Sequence, residues 1–248
     1  MSNVFAVENL RKNYGAREAV RGLSLSAALG GFIGVIGANG SGKTTFLKCL
    51  CGQLRPTDGT IKVCEIDMLR EPVKAKQQIG YAVEAELLPK SLTGNQILDF
   101  AAGTKLRPGW KDELAELCEL LQMQWRLDDP IGSYSQGMRA KIGILMALIG
   151  EPKLIVLDES LATLDPVAAY RLKKHLSDGV KSSRWTVLLS THAIESVEHV
   201  ASRVLMLQEG KLAADWSSQE LVDLRQETGK TLEEILVSRI VGEQKITY

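Results

Sequence analysis

The sequence predicts an α/β protein whose core is a mainly parallel sheet. Short apolar runs, often rich in β-branched residues, alternate along the chain with longer segments whose apolar residues follow helical spacing. Within residues 92–149 no convincing strand pattern occurs, which indicates a block of helices inserted into the sheet domain. With 248 residues the chain can bury a large core, as one domain or as a domain with a subdomain.

The individual elements follow from this alternation in chain order. Strands are predicted at 5–7, 23–27, 32–36, 60–63, 79–83, 154–157, 186–189 and 204–207. Helices are predicted at 43–51, 95–102, 111–124, 135–149 and 166–181. The Gly30-Gly31 pair is expected to turn the chain between two early strands, and Glu209-Gly210 to close a hairpin.

These elements divide the chain into a sheet domain, an inserted helical subdomain and a helical tail. The main domain is expected to span 1–215, with the helical subdomain at about 86–150 inside it. The tail, 216–248, contains two further helical patterns, of which the second includes Leu232, Ile235, Leu236 and Ile240.

Composition and charge exclude several classes of protein. Lysine plus arginine equals aspartate plus glutamate at 30 each, so the chain lacks the basic excess of most nucleic-acid binders, and no nucleic-acid partner is expected. The four cysteines have no paired metal-ligand spacing, so we interpret them as small core residues in a reducing compartment and not as zinc ligands or disulfides. They are Cys49, Cys51, Cys64 and Cys118.

The hydropathy of the chain predicts neither a signal peptide nor a membrane-spanning helix. The first residues lack the basic start and apolar stretch of a signal peptide. The longest apolar run, 142–149, is far shorter than the ~20 residues that a membrane-spanning helix needs. A soluble, cytoplasmic chain is expected, and any membrane role would come through a partner.

The segment GANGSGKT, residues 37–44, is the most informative motif. It matches the phosphate-loop pattern G-x-x-x-x-G-K-[ST], follows a predicted apolar strand and opens a predicted helix. Its glycines permit backbone turns that aim N–H groups at phosphate oxygens, and the helix adds the positive end of its dipole. An ordinary glycine-rich turn would not require this order of residues. The predicted phosphate-binding residues are Gly37, Ala38, Asn39, Gly40, Ser41, Gly42, Lys43, Thr44 and Thr45.

Within this loop two side chains have specific predicted roles. Lys43 is expected to contact the β- and γ-phosphates and to assist catalysis, and the Thr44 hydroxyl to ligate Mg²⁺. Residues 154–159 then form an apolar strand that ends in two carboxylates, at the sheet edge where ligands bind. Asp158 is expected to hold Mg²⁺, and Glu159 to act as general base toward the attacking water. Taken alone, this acidic pair could also begin a solvated loop.

Two further segments identify a family. Tyr134-Ser135-Gln136-Gly137-Met138 precedes the acidic strand, and Ser190-Thr191-His192 follows the next apolar strand. With the phosphate loop and the Asp158-Glu159 strand, their order and spacing resemble the nucleotide-binding subunits of ABC transporters over nearly the whole chain. The resemblance implies a P-loop NTPase sheet core with an antiparallel β subdomain and an inserted helical subdomain. It also implies ATP and Mg²⁺ as ligands.

The resemblance carries further roles to positions of this chain. Tyr14 matches the aromatic residue that stacks on adenine, although a lone tyrosine near a turn is more often structural. Ser135, Gln136 and Gly137 match the signature that approaches ATP held by a second subunit, which implies a head-to-tail homodimer or heterodimer. Ser135 is equally a good helix N-cap. His192 matches the switch histidine that contacts the γ-phosphate and the attacking water.

Asp165 matches the loop that links the two sites of the dimer, and a helix cap before Pro166 explains it equally well. The chain departs from the family pattern where a glutamine usually contacts Mg²⁺, since Glu84 stands there. Its carboxylate is expected to ligate Mg²⁺ as well, but it adds a charge near the γ-phosphate. The signature also has Tyr134, Gln136 and Met138 in place of the usual leucine, glycine and glutamine.

The resemblance implies an ATP-hydrolysing subunit that powers transport through separate transmembrane permease subunits and lies on the cytoplasmic face of the membrane. Glu84, the signature and the helical tail resemble those of exporters with separate permease subunits. A soluble ABC ATPase of DNA repair, translation or cluster assembly is the main alternative. Such proteins carry long coiled-coil insertions or two ATPase domains, and this sequence has neither. A regulatory binder is disfavoured by Glu159 and His192, and a kinase leaves residues 134–138 unexplained.

Overall fold

A computed structural model describes residues 3–107, 109–192, 197, 200–228 and 234. Leu232, Ile235, Leu236 and Ile240 of the predicted tail lie outside this part of the chain. The strands are β1 (Asn3–Tyr14), β2 (Arg17–Ala28), β3 (Phe32–Ile36), β4 (Asp58–Val63), β5 (Ile66–Asp67), β6 (Ile79–Tyr81), β7 (Leu154–Asp158), β8 (Thr186–Thr191), β9 (Arg203–Gln208) and β10 (Lys211–Ser217). The helices are α1 (Lys43–Leu50), α2 (Pro72–Gln77), α3 (Gly94–Thr104), α4 (Trp110–Leu120), α5 (Gln136–Leu148), α6 (Pro166–Lys181) and α7 (Ser218–Thr228).

The strands form two sheets. The first is antiparallel along β1, with the order β2-β1-β4-β5. The second has the order β10-β9-β3-β8-β7-β6, in which the five strands from β9 to β6 run parallel and β10 closes an antiparallel hairpin with β9. The predicted α/β class with a parallel core and an antiparallel β unit is therefore confirmed.

The parallel register brings three strand ends to one edge. Ile36 at the end of β3 pairs with Thr191 at the end of β8, and Asp158 at the end of β7 pairs with Ser190. β3 is buried along its whole length, as are the first four residues of β7, which explains their continuous apolar sequence. The loops that follow these strands are consequently neighbours, and this edge is where α/β sheets bind ligands.

Helices α3, α4 and α5 lie between β6 and β7 in the chain; α5 packs against β6 and β7, and α3 and α4 pack on α5. Backbone contacts fix α5 most closely, since a Cβ built at Gly80 would lie 1.8 Å from the Ala147 carbonyl oxygen. A Cβ at Gly143 would lie 2.3 Å from the carbonyl oxygen of Val83. Only glycine permits such approaches, so α5 sits directly against β6 and the segment that follows it.

Some elements differ from the sequence predictions. β1 and β2 are much longer than the predicted 5–7 and 23–27. Their outer halves form an exposed, bulged hairpin of mostly polar residues, where the alternation of apolar and polar residues is too weak to predict a strand. The short elements α2 and β5 were not predicted. The strand predicted at 79–83 ends at Tyr81, where the chain leaves the sheet. Among the described residues, no helix is long and apolar enough to cross a membrane.

Candidate active site

The loop between β3 and α1 has the backbone geometry of a phosphate cradle. Gly37, Gly40 and Gly42 all have positive φ, at 149°, 81° and 103°. A Cβ at Gly37 would lie 2.2 Å from the Leu207 carbonyl oxygen, and one at Gly42 would lie 2.5 Å from that of Ala19. These two positions therefore require glycine for both conformation and space.

The Gly37→Ala variant is expected to lose ATP binding, because the added methyl group must displace the β9 backbone and with it the whole loop. Gly40→Ala is the matched control, since it has the same left-handed strain while its Cβ would meet nothing closer than 3.6 Å, at Arg17. Calorimetric titration with ATP should show Gly40→Ala binding at least about tenfold more tightly than Gly37→Ala, given roughly 1–3 kcal/mol for a core overpacking. Equal affinities would contradict the steric explanation.

Lys43 lies inside this loop. Its side-chain ammonium donates hydrogen bonds to the carbonyl oxygens of Gly37 at 2.7 Å and Ala38 at 3.2 Å, and only 6% of the residue is exposed. Burial lowers the pKa of Lys43, and the carboxylates of Glu159 and Asp158 oppose that shift. The loop thus holds a desolvated cation beside two acids.

The start of α1 is open to an anion. Within the described residues no side chain caps this helix, and its first turn contains no acidic residue, so the positive end of the dipole is not neutralised locally. A cavity of about 260 Å³ adjoins it. Its lining includes Tyr14, Arg17, Ala19, Asn39, Gly40, Gly42, Lys43, Thr44, Thr45 and Glu159.

Ser190 of β8 holds the two acidic residues at the end of β7, Asp158 and Glu159. The Ser190 hydroxyl donates to the Asp158 carboxylate and also accepts the backbone N–H of Glu159 at 3.1 Å. Glu159 has a φ of 52°, an uncommon value for a non-glycine residue and one that occurs at strained functional positions. Its carboxylate lies 3.0 Å from Nδ1 of the exposed His192. The structure therefore brings the predicted base and the predicted switch histidine into direct contact.

A second cavity, of about 290 Å³, lies beside the first. It is lined by Thr44, Lys48, Val83, Glu84, Ala85, Glu86, Gln136, Ala140, Asp158, Glu159, Ser160 and Thr163. All three predicted metal ligands, Thr44, Glu84 and Asp158, are in this group. The Glu84 carboxylate is bound at 2.6 Å by the ammonium group of Lys48 on α1.

The signature segment begins α5. Ser135 caps the helix, since its hydroxyl accepts the N–H of Met138 at 3.2 Å. The Gln136 amide donates to Glu86 at 3.3 Å and lines the second cavity of its own chain. A Cβ at Gly137 would lie 2.8 Å from the Thr163 carbonyl oxygen, so this glycine has a packing reason as well as its predicted role.

Some residues at the site carried no role in the sequence analysis. Arg17 lines the first cavity near Tyr14, and Lys48 lines the second. Lys48 could have been found from its spacing, because Thr44 and Lys48 are four residues apart and share one face of α1. Arg17 follows a two-residue turn after Tyr14, and no sequence pattern relates it to the phosphate loop.

Comparisons with known proteins agree with this geometry. The family model described as ABC transporter matches residues 20–162. The chain is 31% identical over 212 residues to the ABC transporter ATP-binding protein YhcH of Bacillus subtilis, covering 86% of this chain and 69% of that protein. It is 30% identical to the Nod factor export ATP-binding protein I of Ralstonia nicotianae, covering 88% and 68%. It is 29% identical to the bacitracin transport ATP-binding protein BcrA of Bacillus licheniformis, covering 86% and 69%.

Solved structures agree as well. An ATP-binding subunit of an ABC transporter superposes with a TM-score of 0.83 at 26% identity, covering 95% of this chain and 98% of that one. A dimeric ATP-binding cassette in a post-hydrolysis state with ADP and Pi has the same fold, with a TM-score of 0.78 at 22% identity and coverage of 86% and 98%. The phosphate loop, the acidic strand end and the signature helix thus lie in a fold that solved ATP-binding cassettes share. This chain belongs to the ABC transporter family as one of its ATP-binding ATPases.

Proposed function

We propose that this ATPase powers the transport of a substrate through separate membrane-spanning permease subunits. The observation that carries the proposal is that the groups predicted to serve hydrolysis meet at one sheet edge: Lys43 in the loop, and Glu159 in contact with His192. Relatives named for Nod factor export and bacitracin transport favour coupling of that hydrolysis to transport, and the first of the two names favours export. The chain would then lie on the cytoplasmic face of the membrane, held by its permease.

The residues of the second cavity fit a bound Mg²⁺. The Thr44 hydroxyl and the carboxylates of Asp158 and Glu84 are hard oxygen donors, and no cluster of three or more His, Cys, Asp or Glu side chains suited to a metal occurs in the described chain. Mg²⁺ is commonly held by one or two carboxylates together with substrate phosphates, so this sparse set suits it. Bound there, the ion would offset negative charge on the phosphates.

The other roles in ATP binding and hydrolysis would fall to further side chains of the site. Lys43 would exchange its two carbonyl acceptors for oxygens of the β- and γ-phosphates, a charge-assisted contact. Glu159 would accept a proton from the attacking water, and His192 would hold that carboxylate and the water in line. Tyr14, half exposed at the first cavity and with the Lys12 ammonium 5.2 Å from its ring centre, would stack on adenine.

The signature would complete the site of a second subunit. Ser135 and Gly137 begin α5, so their N–H groups and the serine hydroxyl form a second helix start suited to phosphate. In a head-to-tail dimer, of identical or homologous chains, each signature would close over ATP held by the other phosphate loop. The Lys141 ammonium, 3.4 Å from Asp165, ties this helix to the loop that the family uses to link both sites.

Ser135→Asp tests this arrangement. Aspartate keeps the N-cap acceptor but places a negative charge where the partner's phosphate would lie. With a non-hydrolysable ATP analogue, we expect dimerisation to weaken by roughly tenfold or more in analytical ultracentrifugation, because like charges at an interface are costly. ATP affinity of the monomer should stay unchanged in calorimetry.

Ser135→Asn is the matched control, since it caps the helix without adding charge; it loses only a neutral hydroxyl contact and should dimerise much more tightly than Ser135→Asp. If Ser135→Asp instead weakens ATP binding by the monomer, the signature acts on its own chain and the dimer proposal is wrong. Coupling to a permease is tested by co-expression with each multi-span membrane protein that neighbouring reading frames encode. The ATPase should fractionate with membranes only in that pairing.

A further inference from the structure

Lys48 and Glu84 form an ion pair inside the second cavity. The Lys48 ammonium lies 2.6 Å from the Glu84 carboxylate, and the exposed fractions of the two side chains are 25% and 39%. Lys48 comes one turn after Thr44 on α1, so both project from the same helix face. The predicted metal ligand Glu84 is therefore bound by a lysine adjacent to another predicted ligand.

The surroundings of this pair are acidic. Asp158 and Glu159 line the same cavity, and ATP would bring further negative charge to the start of α1. The Tyr81 hydroxyl, on the strand that leads to Glu84, is buried without a hydrogen-bond partner in the part of the chain that the structure describes. Burial raises the pKa of Tyr81, and the charges of Asp158 and Glu84 raise it further. Lys48 is thus well placed to neutralise the charge that Glu84 adds.

We propose that Lys48 is a positioning residue of the ATP site, which holds the Glu84 carboxylate on α1 and releases it to the metal when Mg²⁺–ATP binds. The inference rests on the proposed Mg²⁺ assignment of Glu84. The ammonium and the metal draw on the same single negative charge, so binding of the metal to Glu84 weakens the pairing with Lys48. Without metal, Lys48 keeps Glu84 from repelling the triphosphate.

This competition predicts how Mg²⁺ changes ATP affinity. In Lys48→Met, Glu84 is unpaired, so ATP should bind more weakly in EDTA, while Mg²⁺ should regain most of the loss because Glu84 is free to ligate it. The ratio of ATP dissociation constants without and with Mg²⁺ should rise about fivefold over the unmodified protein, a modest effect suited to a partly exposed pair. Glu84→Gln should lower the ratio, and Lys48→Met/Glu84→Gln should match Glu84→Gln alone.

Isothermal titration calorimetry measures these constants, and thermal unfolding of each variant without ligand reports stability separately. Lys48→Arg keeps the charge and should preserve the ratio. Lys74→Met is the control for loss of a lysine, because Lys74 pairs with Glu71 at an exposed site remote from the cavity lining. A purely structural Lys48 would lower the unfolding temperature and leave the ratio unchanged.

The possible outcomes distinguish the Lys48 inference from the Mg²⁺ assignment of Glu84 on which it rests. If Glu84→Gln lowers the ratio but Lys48→Met leaves it unchanged, the Lys48 inference is wrong and the Mg²⁺ assignment stands. If the ratio is the same in the unmodified protein and in Glu84→Gln, both the assignment and the inference fail. A raised ratio in Lys48→Met that disappears in the double variant supports the exchange.

Discussion

Glu159→Gln is expected to lower the rate of ATP hydrolysis by about 10²–10⁴-fold, the usual contribution of a positioned general base. The amide preserves the volume of the side chain and can still contact His192, but it cannot take a proton from water. ATP binding should remain, because Lys43 and the start of α1 are unchanged. Steady-state phosphate release and calorimetry measure the two quantities separately.

A variant that binds ATP without hydrolysing it should also accumulate as the ATP-bound dimer in size-exclusion chromatography. Glu119→Gln makes the same chemical change on an exposed face of α4, outside both cavities, and should leave the rate unaltered. Hydrolysis by Glu159→Gln at nearly the normal rate would show that another group is the base.

Lys43→Ala is expected to weaken ATP binding itself by roughly 10–150-fold, because hydrogen bonds to charged groups contribute about 1.5–3 kcal/mol each. The lost ammonium is buried in the loop, so water replaces it poorly as a partner of the phosphates. Calorimetric titration measures this change directly.

Lys174→Ala removes an exposed lysine from α6 and is the control for net charge, with no change in affinity expected. Lys43→Arg should also bind weakly, since a planar guanidinium does not fit the position of a compact ammonium held by two carbonyl oxygens. Unchanged ATP affinity in Lys43→Ala would contradict the phosphate-loop interpretation.

Local sequence patterns were enough to predict the parallel core. The buried strands β3, β7 and β8 are short apolar runs, and the order of strands and helices determined the class that the structure confirms. The phosphate loop was predictable for the same reason, because its glycines, lysine and threonine are contiguous. The roles of the individual site residues stay predictions, although the structure places the phosphate-loop residues beside Asp158 and Glu159.

Contacts between distant segments were not predictable. The spacing of Lys48 from Thr44 places it on one helix face, but its pairing with Glu84 depends on where the segment after β6 lies relative to α1, and no local sequence pattern marks that contact. The Gly137–Thr163 approach likewise depends on the tertiary position of α5. The length of β1 was missed because two neighbouring strands, and not its own alternation, extend it through polar residues.

The glycine contacts along α5 have a mechanical consequence. Gly143 lets the helix rest on the backbone at Val83, and Gly80 lets the neighbouring strand rest on the helix at Ala147. If α5 slid along β6, the two backbones would clash at these contacts. We therefore expect a tilt of the helix about the contacts to need less distortion than a slide. The 13-residue helix is about 20 Å long and is capped at its N-terminus by Ser135. Because Val83, which Gly143 contacts, directly precedes Glu84, we expect a displacement of the Ser135 end of α5 to shift the segment that contains Glu84.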